Sequence, residues 1–387
     1  MQAIANPTDA RHASQAPTVA PRRLRVLQVG KFYPPHRGGM ESHLQALCGQ
    51  LRAQVDVEVL VAGEERRTVE EVLDSVKVTR VGTLFDFAAA PVCPGLARRI
   101  RDARADIVHL HWPHPTALLA YLASGHAGRL VVTYHSDVVR QRVLGAAFRP
   151  VLRRALGRAD AVIAASPNYV ESSPVLQEFK TKCRVIPFGI PLDEFDTVDA
   201  FEVSRLRERF GPRIVLGVGR LIYYKGFEHL VRAMKEVDGH LVIVGEGPLR
   251  GALEQEAESE GVSDRVTILG RVDTVAPFYH AADVFALPSV ARSEAFGIVQ
   301  LEAMACGRPV VNTRLDSGVT YVSVDGVTGL TVPPADPAAL AAALNTLLED
   351  ESLRARLGRA ARLRVEREFD LETMGRRTLR LYEEVMR

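Results

Sequence analysis

The feature that most constrains the fold of this chain is a repeated alternation of short apolar runs with stretches long enough to form a helix. In the first half, the apolar runs lie at residues 24–29, 57–61, 107–110, 130–133 and 161–164. Short, continuously apolar runs are typical of strands covered on both faces, as in parallel sheets with helices on either side. The pattern therefore predicts an α/β fold built on a doubly wound parallel sheet.

The alternation stops at residues 185–191, where two prolines and a glycine break regular structure, and then starts again. The second series of apolar runs lies at 214–218, 240–244, 266–269, 284–287 and 309–312. Two such series predict two Rossmann-like domains that face each other across a cleft. We place them at residues 24–188 and 189–370. The last helical stretch, 371–387, could pack on either domain, including back on the first.

Length and composition agree with two soluble domains. The 387 residues are too many for one ordinary α/β core and fit two of roughly 150–200 residues each. A net charge of +2 argues against a generally basic nucleic-acid binder. The four cysteines form no Cys-x-x-Cys pair, so we expect neither a disulfide framework nor a zinc site. Residues 1–23 have no continuous apolar core and are predicted to be a disordered tail, which leaves the cytoplasm as the expected compartment.

The segment 293–310 carries the strongest chemical signal. Glu294 precedes a predicted helix and Glu302 lies within it, while Gly297 lets the chain approach a ligand closely. The free N–H groups of the first helical turn suit a phosphate, and a carboxylate can accept hydrogen bonds from neighbouring sugar hydroxyls. Taken alone, either glutamate could instead be a helix cap or a surface residue.

A second signal is the loop 218–226, which follows a predicted strand and opens a helix. It places Arg220 and Lys225 beside glycines at the carboxyl end of that strand, where α/β folds bind ligands. A forked guanidinium and a point charge suit a diphosphate. Two solvated loop charges are the alternative. The nearby segment 244–251 almost matches a dinucleotide fingerprint, but its glycine spacing is one residue too long and Pro248 occupies the tight turn, which argues against a dehydrogenase.

Together these motifs resemble family 4 of the retaining glycosyltransferases, enzymes with the two-domain fold called GT-B. The matching features are Arg220 and Lys225 with Gly226, Gly245-Glu-Gly-Pro248, Leu287-Pro-Ser289, the Glu294–Glu302 spacing, Gly307-Arg-Pro309 and Gly326-Val-Thr-Gly329. The similarity runs from Leu24 to the C terminus, and the second half carries the most specific motifs.

The resemblance implies a role for each matching position on the donor side. Arg220 and Lys225 would neutralise the diphosphate and the charge that grows on the leaving group. Glu294 would bind hydroxyls of the transferred sugar, and Glu302 those of the ribose. The remaining donor contacts implied are the N–H groups of Phe296, Gly297 and Ile298 on the sugar and phosphate, and Arg271 with Val272 near the base.

In the first domain, the resemblance implies an acceptor site and a roof over the sugar. Gly38 and Gly39 precede a helix expected near Glu41 and would approach the diphosphate from the other side. His135 matches a histidine that contacts the transferred sugar in relatives, although a lone histidine is more often structural. The cluster His109, His111 and His114 matches no metal motif, and we expect polar contacts on the acceptor side from it.

Cofactors are not expected. The sequence has no Asp-x-Asp pair, the divalent-metal motif of the other large glycosyltransferase fold, and two cations are available for the phosphates. The nucleotide-sugar is then a substrate and no metal is needed. The family implies retention of configuration by front-face departure, in which the leaving phosphate helps to deprotonate the incoming hydroxyl.

A cluster of arginines without acidic neighbours marks the predicted acceptor domain. Its members are Arg140, Arg142, Arg149, Arg153 and Arg154. With an apolar stripe between them, they predict docking on an anionic membrane surface or binding of a lipid-linked pyrophosphate. A solvated helix packed on the sheet is the alternative, and Pro150 weakens a single continuous helix.

The identity of the donor and acceptor is less constrained. The Tyr223-Tyr224-Lys225 variant resembles enzymes of bacterial surface-polysaccharide assembly, which favours GDP-mannose over a UDP-sugar as donor, with a glycan or lipid-linked acceptor. A sugar-nucleotide epimerase, a glycan phosphorylase or a non-catalytic sugar-nucleotide-binding partner of the same fold are the alternatives.

Overall fold

The structure is a computed structural model that describes residues 22–36, 38–87, 90–137 and 142–387, with side chains described outside 142–146. The predicted tail lies outside the described residues, except for Arg22 and Arg23. Two sheets, one in each half of the chain, organise what is described.

The strands of the first half are β1 (Arg25–Val29), β2 (Asp56–Ala62), β3 (Val69–Leu73), β4 (Val76–Val81), β5 (Phe85–Phe87), β6 (Ala90–Val92), β7 (Ile107–Trp112), β8 (Arg129–Tyr134), β9 (Ala161–Ala164) and β10 (Cys183–Val185). Its helices are α1 (Gly39–Leu51), α2 (Leu96–Asp102), α3 (Pro115–Ser124), α4 (Arg142–Arg158), α5 (Pro167–Ser172) and α6 (Pro174–Glu178). α1 begins at Gly39, two residues before the expected start, because Gly38 occupies the N-cap position.

The strands of the second half are β11 (Ile214–Val218), β12 (His240–Val244), β13 (Val266–Gly270), β14 (Val284–Leu287), β15 (Val310–Thr313) and β16 (Gly329–Val332). Its helices are α7 (Asp193–Asp196), α8 (Ala200–Phe210), α9 (Phe227–Ala233), α10 (Arg250–Ser259), α11 (Ala276–Ala281), α12 (Ile298–Ala305), α13 (Val319–Val322), α14 (Pro337–Glu349), α15 (Glu351–Glu368) and α16 (Leu371–Met386).

Both sheets are wound in two directions from a central strand. The first has the order β10-β9-β8-β7-β1-β2-β4-β3 and is parallel except for the edge strand β3. The second has the order β13-β12-β11-β14-β15-β16 and is parallel throughout. The winding direction reverses between β1 and β7 in the first sheet and between β11 and β14 in the second. At such switch points the loops diverge and open a crevice at the carboxyl ends of the strands, which is where these folds bind ligands.

Burial on both faces explains the continuous apolar runs. All four residues of β14 and of β9 are buried, with helices packed on either side. The predicted α/β class and its two Rossmann-like domains are confirmed, and several strands, among them β11, β12 and β14, have the predicted bounds.

The chain crosses between the halves twice. Gly189 and Ile190 lead into the second half, and Ile190 pairs with Asp370, where the chain returns. α16 then packs on the first sheet, where Met374 and Tyr382 share a core with residues of β1 and β2. Among the described residues, no helix combines the length and apolar character required to cross a bilayer.

Candidate functional site

The switch point of the second sheet brings the loops of the predicted cations and of Glu294 together. The loop after β11 carries Arg220 and Lys225, and the loop after β14 carries Ser289 and Glu294. Because β11 and β14 are the neighbours between which the sheet reverses, these two loops border the same crevice. Arg220, Lys225 and Glu294 therefore lie on loops where a Rossmann fold places its ligand.

Lys225 and Glu294 form a buried ion pair at the base of this crevice. The distance from Lys225 Nζ to Glu294 Oε2 is 2.6 Å, and the two residues are 8% and 7% exposed. The Ser289 hydroxyl donates to the same Oε2 at 3.0 Å. Glu294 Oε1 has no hydrogen-bond partner among the described residues. A lysine ammonium has three N–H groups, so the pair leaves donors on Lys225 and an acceptor on Glu294 for a ligand.

A left-handed glycine allows the two loops to approach. Gly226 has φ of 65°, and a Cβ at this position would lie 2.2 Å from the carbonyl oxygen of Pro288. The Val290 N–H also donates to the Tyr224 carbonyl at 2.8 Å. Any side chain at residue 226 would force the loops apart, which explains the glycine after Lys225.

Arg220 extends from the second half towards the first. Its side chain is exposed, and its charge acts on Lys31, in the loop after β1. Burial lowers the pKa of Lys31, the nearby carboxylates of Glu41 and Asp86 oppose that shift, and the Arg220 guanidinium adds to it. Cations from both halves therefore face the same space, an arrangement suited to an anion with several charges.

Two helix N-termini approach each other across the crevice. Gly297 has φ of 75° and caps α12, and a Cβ on Gly39 at the start of α1 would lie 3.9 Å from Ile298 Cδ1. The first N–H groups of a helix have no partner within it and attract negative charge. Gly39 therefore lies beside Ile298, and the contacts of these residues with a donor stay a prediction. The Phe296 side chain lies in the core and leaves only its backbone for a ligand, as the predicted N–H contact requires.

Glu302 is held by a tyrosine that the sequence analysis did not identify. The Tyr279 hydroxyl, on α11, donates to Glu302 Oε2 at 2.7 Å. Burial raises the pKa of the Glu302 carboxyl, and the tyrosine hydrogen bond partly offsets that shift. Arg271 and Val272 directly follow β13, which is separated from β14 by β12 and β11, with Arg271 exposed and Val272 half-buried.

His135 lies at the carboxyl end of β8 and belongs to a buried histidine network. Its Nε2 is 3.0 Å from His111 Nδ1 in β7, and its ring lies 5.3 Å from that of Phe188. Burial lowers the pKa of both histidines well below the usual value, so both are neutral at pH 7. Phe188 in turn contacts Phe296, with ring centroids 5.0 Å apart, which connects His135 to the donor loop.

The prediction of acceptor contacts was wrong for His109. Its Nδ1 is 2.6 Å from the Tyr382 hydroxyl and its Nε2 is 2.7 Å from the Thr133 hydroxyl, so both nitrogens are engaged in the core. His114 is also buried, with its pKa lowered by burial to about 3. All six residues of β7 are buried, and α16 covers the His109 side chain through Tyr382, which explains the difference.

The structure brings together three histidines that could hold a metal ion. They are His43, on α1, with His111 and His135, and one nitrogen from each lies within 4.8 Å of the others. Sequence spacing could not reveal this group, because its members come from three separate elements. The hydrogen bond between His111 and His135 already satisfies one nitrogen of each without a metal.

An ion pair joins the two halves beside the crevice. Arg292, in the loop after β14, donates to Asp137 Oδ2 at 3.0 Å and to the Ser172 hydroxyl at 3.3 Å. The Ser172 hydroxyl also donates to the Asp316 carbonyl at 2.8 Å. These residues were not predicted, because their partners lie on opposite halves of the chain.

The basic cluster on α4 is partly neutralised. Arg149 and Arg153 both pair with Glu178 on α6, at 3.2 Å and 2.5 Å. The arginines have no acidic neighbours along the sequence, but the fold places Glu178 beside two of them. Arg154 is exposed and has no ion-pair partner in the part of the chain that the structure describes. Arg140 lies outside the described residues, as does the side chain of Arg142.

Comparisons with known proteins agree over both halves. Residues 37–194 match the family described as Glycosyltransferase Family 4, and residues 200–364 match Glycosyl transferases group 1. The chain is 35% identical to the D-rhamnosyltransferase WbpZ of Pseudomonas aeruginosa, over 89% of this chain and 92% of that protein. It is 34% identical to the O-antigen chain mannosyltransferase C of Escherichia coli, over 91% and 96% of the two chains.

The fold also matches solved structures. The sucrose-phosphate synthase of Thermosynechococcus elongatus superimposes with a TM-score of 0.77 at 24% identity, covering 94% of this chain and 99% of that one. At this identity the similarity concerns the architecture alone, with two Rossmann-like halves in the same arrangement.

Proposed function

This chain belongs to glycosyltransferase family 4 and has the GT-B fold, and from that premise we propose that it transfers mannose from GDP-mannose to a glycan or lipid-linked acceptor, with retention of configuration and without a metal ion. The observation that carries the proposal is the Lys225–Glu294 pair at the switch point of the second sheet, with Arg220 above it and two helix N-termini beside it. These groups match the two parts of a nucleotide-sugar, a diphosphate and a polyhydroxylated ring.

Charge development gives each group a task in this reaction. When the bond from the sugar C1 to the diphosphate breaks, negative charge grows on the leaving phosphate oxygen. Arg220, Lys225 and the N–H groups at Gly297 and Ile298 are already oriented towards that region and stabilise the charge without reorganising. A metal ion would duplicate what these groups supply, which is the basis for proposing that none is required.

Retention is proposed from the family and from the positions of the carboxylates. Glu294 Oε2 is taken by Lys225 and Ser289, and Asp137 is paired with Arg292. Of these two carboxylates, only Glu294 keeps an oxygen, Oε1, without a partner in the described part of the chain. We assign this acceptor to the sugar hydroxyls, so the proposed reaction uses no protein nucleophile. In the proposed front-face step, the acceptor oxygen bonds to C1 on the face that the phosphate leaves, and the hydroxyl proton passes to a phosphate oxygen.

The choice of sugar rests on the relatives. One acts as a D-rhamnosyltransferase and the other as a mannosyltransferase, and their identities to this chain are nearly equal. D-rhamnose is mannose without its 6-hydroxyl, so both names point to the same ring configuration. The O-antigen chain mannosyltransferase also supports a saccharide acceptor of a surface polysaccharide.

A donor panel tests the proposal directly. Thermal shifts measured with GDP, UDP, ADP and their sugars should show selective stabilisation by GDP and GDP-mannose, because a ligand that binds only the folded state raises Tm. Transfer from GDP-mannose to a saccharide acceptor should then release GDP and give an α-linked product. The one-bond C1–H1 coupling of the new residue identifies the anomer in the NMR spectrum. Conversion of donor in the absence of acceptor would favour an epimerase, and binding without any turnover a non-catalytic partner.

A further inference from the structure

A continuous chain of buried hydrogen bonds connects the last helix to His135. Gln28 Nε2, on β1, donates to the Tyr382 hydroxyl at 2.8 Å, and Gln28 Oε1 is 3.0 Å from His111 Nε2. His111 Nδ1 is in turn 3.0 Å from His135 Nε2. Gln28, His111 and Tyr382 are all buried. α16 therefore reaches the sugar side of the crevice through three hydrogen bonds.

The direction of each bond follows from the chemistry of the groups. Gln28 Oε1 can only accept, so the proton of neutral His111 lies on Nε2. His111 Nδ1 then lacks a proton and must accept from His135 Nε2–H. The proton of neutral His135 is thereby fixed on Nε2, which leaves its Nδ1 as an acceptor. The hydrogen bond of His135 to His111 uses Nε2, and no bond to Nδ1 is seen among the described residues.

We propose that Tyr382 is a positioning residue for catalysis, which acts through Gln28 and His111 to hold His135 as the tautomer that accepts a hydrogen bond from a hydroxyl of the transferred sugar. The inference rests on the proposed contact between His135 and the donor sugar. Tyr382 itself touches no substrate, and Gln28 and His111 separate it from His135 in the chain of hydrogen bonds.

His109 explains why a tyrosine is required at this position. The Tyr382 hydroxyl accepts from Gln28 and donates to His109 Nδ1, which directs the His109 proton to Nε2 and the Thr133 hydroxyl. A hydroxyl is the group that can accept on one side and donate on the other. Without the Tyr382 hydroxyl, the Gln28 side-chain amide can rotate so that its Nε2–H donates to His111 Nε2. The protons of His111 and His135 would then each move to Nδ1.

The variant Tyr382→Phe tests this relay, the chain of hydrogen bonds from Tyr382 through Gln28 and His111 to His135. We expect kcat to fall about tenfold, the scale of loss when a partner that orients a functional histidine is removed. The Kd for free GDP should stay unchanged, because His135 faces the sugar and not the nucleotide. Tyr121→Phe is the matched control, since it removes another largely buried tyrosine hydroxyl from the same half of the molecule but outside the network.

A spectroscopic readout separates the relay from a merely structural role. In long-range ¹H–¹⁵N spectra of histidine-labelled enzyme, His135 of the wild type should show its proton on Nε2, and Tyr382→Phe should shift it towards Nδ1 or a mixture. Gln28→Met interrupts the same chain from β1 and should reproduce both effects if Tyr382→Phe does not fold. The double variant should then lose no more activity than Gln28→Met alone, because both changes break one path.

Several results would overturn the relay. An unchanged His135 tautomer in both variants would do so, as would full additivity of the two activity losses. Histidine signals that move when wild-type enzyme is treated with EDTA would instead assign a metal to His43, His111 and His135. The NMR measurement of the His135 tautomer does not depend on turnover. Failure to transfer mannose would therefore count against the proposed function alone, and the NMR result would still test the relay.

Discussion

Lys225 Nζ lies 2.6 Å from Glu294 Oε2, and these two buried residues come from the two loops that border the switch point of the second sheet. The pair connects donor binding to the stability of the domain. Removing either partner leaves an unpaired charge in a buried position, which is more costly than losing the pair as a whole.

Lys225→Ala should therefore damage both turnover and stability, whereas Arg220→Ala should damage turnover alone. Loss of one such charge-stabilising contact typically lowers the rate by roughly 10²–10³. Unpairing buried Glu294 should also lower the free energy of unfolding by about 3–5 kcal/mol, while exposed Arg220 can be removed with little effect on folding. Steady-state kinetics and urea unfolding measure the two effects. Near-native kcat in either variant would show that its charge does not act on the reaction.

Glu302 should set a pH limit on nucleotide binding. Burial raises its pKa, so it becomes protonated at a higher pH than an ordinary glutamate and loses an acceptor for the proposed ribose contact. The affinity for GDP should fall as the pH is lowered through that raised pKa, and the fall should disappear in Glu302→Gln. Calorimetry at a series of pH values measures this. Tyr279→Phe is the second variant, and it should weaken GDP binding less than Glu302→Gln does.

Glu294→Gln should lower transfer without weakening the binding of free GDP, although it also leaves Lys225 without its carboxylate partner. The proposed partner of Glu294 is the transferred sugar, which GDP lacks. The comparison with Glu302→Gln uses the same two assays. The reverse order of effects would mean that the two glutamates have exchanged roles.

Turnover should be the same with and without excess EDTA. Arg220, Lys225 and the N-terminus of α12 supply positive charge to the diphosphate, so we expect no divalent ion in the reaction. Loss of activity in EDTA that only Mg²⁺ or Mn²⁺ restores would contradict this expectation. Restoration by Zn²⁺ alone would direct attention to His43, His111 and His135.

Removing the negative charge of Glu178 should strengthen membrane docking, whereas reversing the charge of the arginines should abolish it. Wild-type enzyme should co-sediment with anionic vesicles and not with neutral ones, and replacing Arg149, Arg153 and Arg154 by Glu should abolish this. Glu178→Gln should strengthen the binding, because it frees two arginines that Glu178 now neutralises. Equal sedimentation of all three proteins would leave these arginines as a solvated face.

The apolar runs predicted the sheet strands well because burial on both faces leaves a plain signal in the sequence. β3, β4, β10 and β16 were missed. β4 alternates buried residues with Lys77 and Arg80, and β10 and β16 are short edge strands. β3 is an edge strand whose residues are all exposed or half-buried, so Val69–Leu73 carries glutamates in place of a continuous apolar run. β5 and β6 form a separate short hairpin and were missed for the same reason.

The site residues that the sequence revealed are those whose neighbours along the chain already indicate their chemistry. Arg220 and Lys225 stand beside glycines in the loop after a strand, and Glu294 lies three residues before the glycine that precedes a helix. Their supporting partners could not be found in this way, because Gln28 and Tyr382 are 354 residues apart and meet only through the fold. His43 left one usable signal, since it follows Gly39 by one helical turn and so faces the same side of α1.

The return of α16 to the first sheet also governs how the enzyme can be recombined with its relatives. A chimera that exchanges the first half must carry residues 22–188 together with 371–387, because Met374 and Tyr382 fill the core of that half. A single junction near Gly189 would combine the last helix of one parent with the first sheet of another. Two junctions, placed where Ile190 meets Asp370, keep each half with its own packing, so that either half can be exchanged without the other.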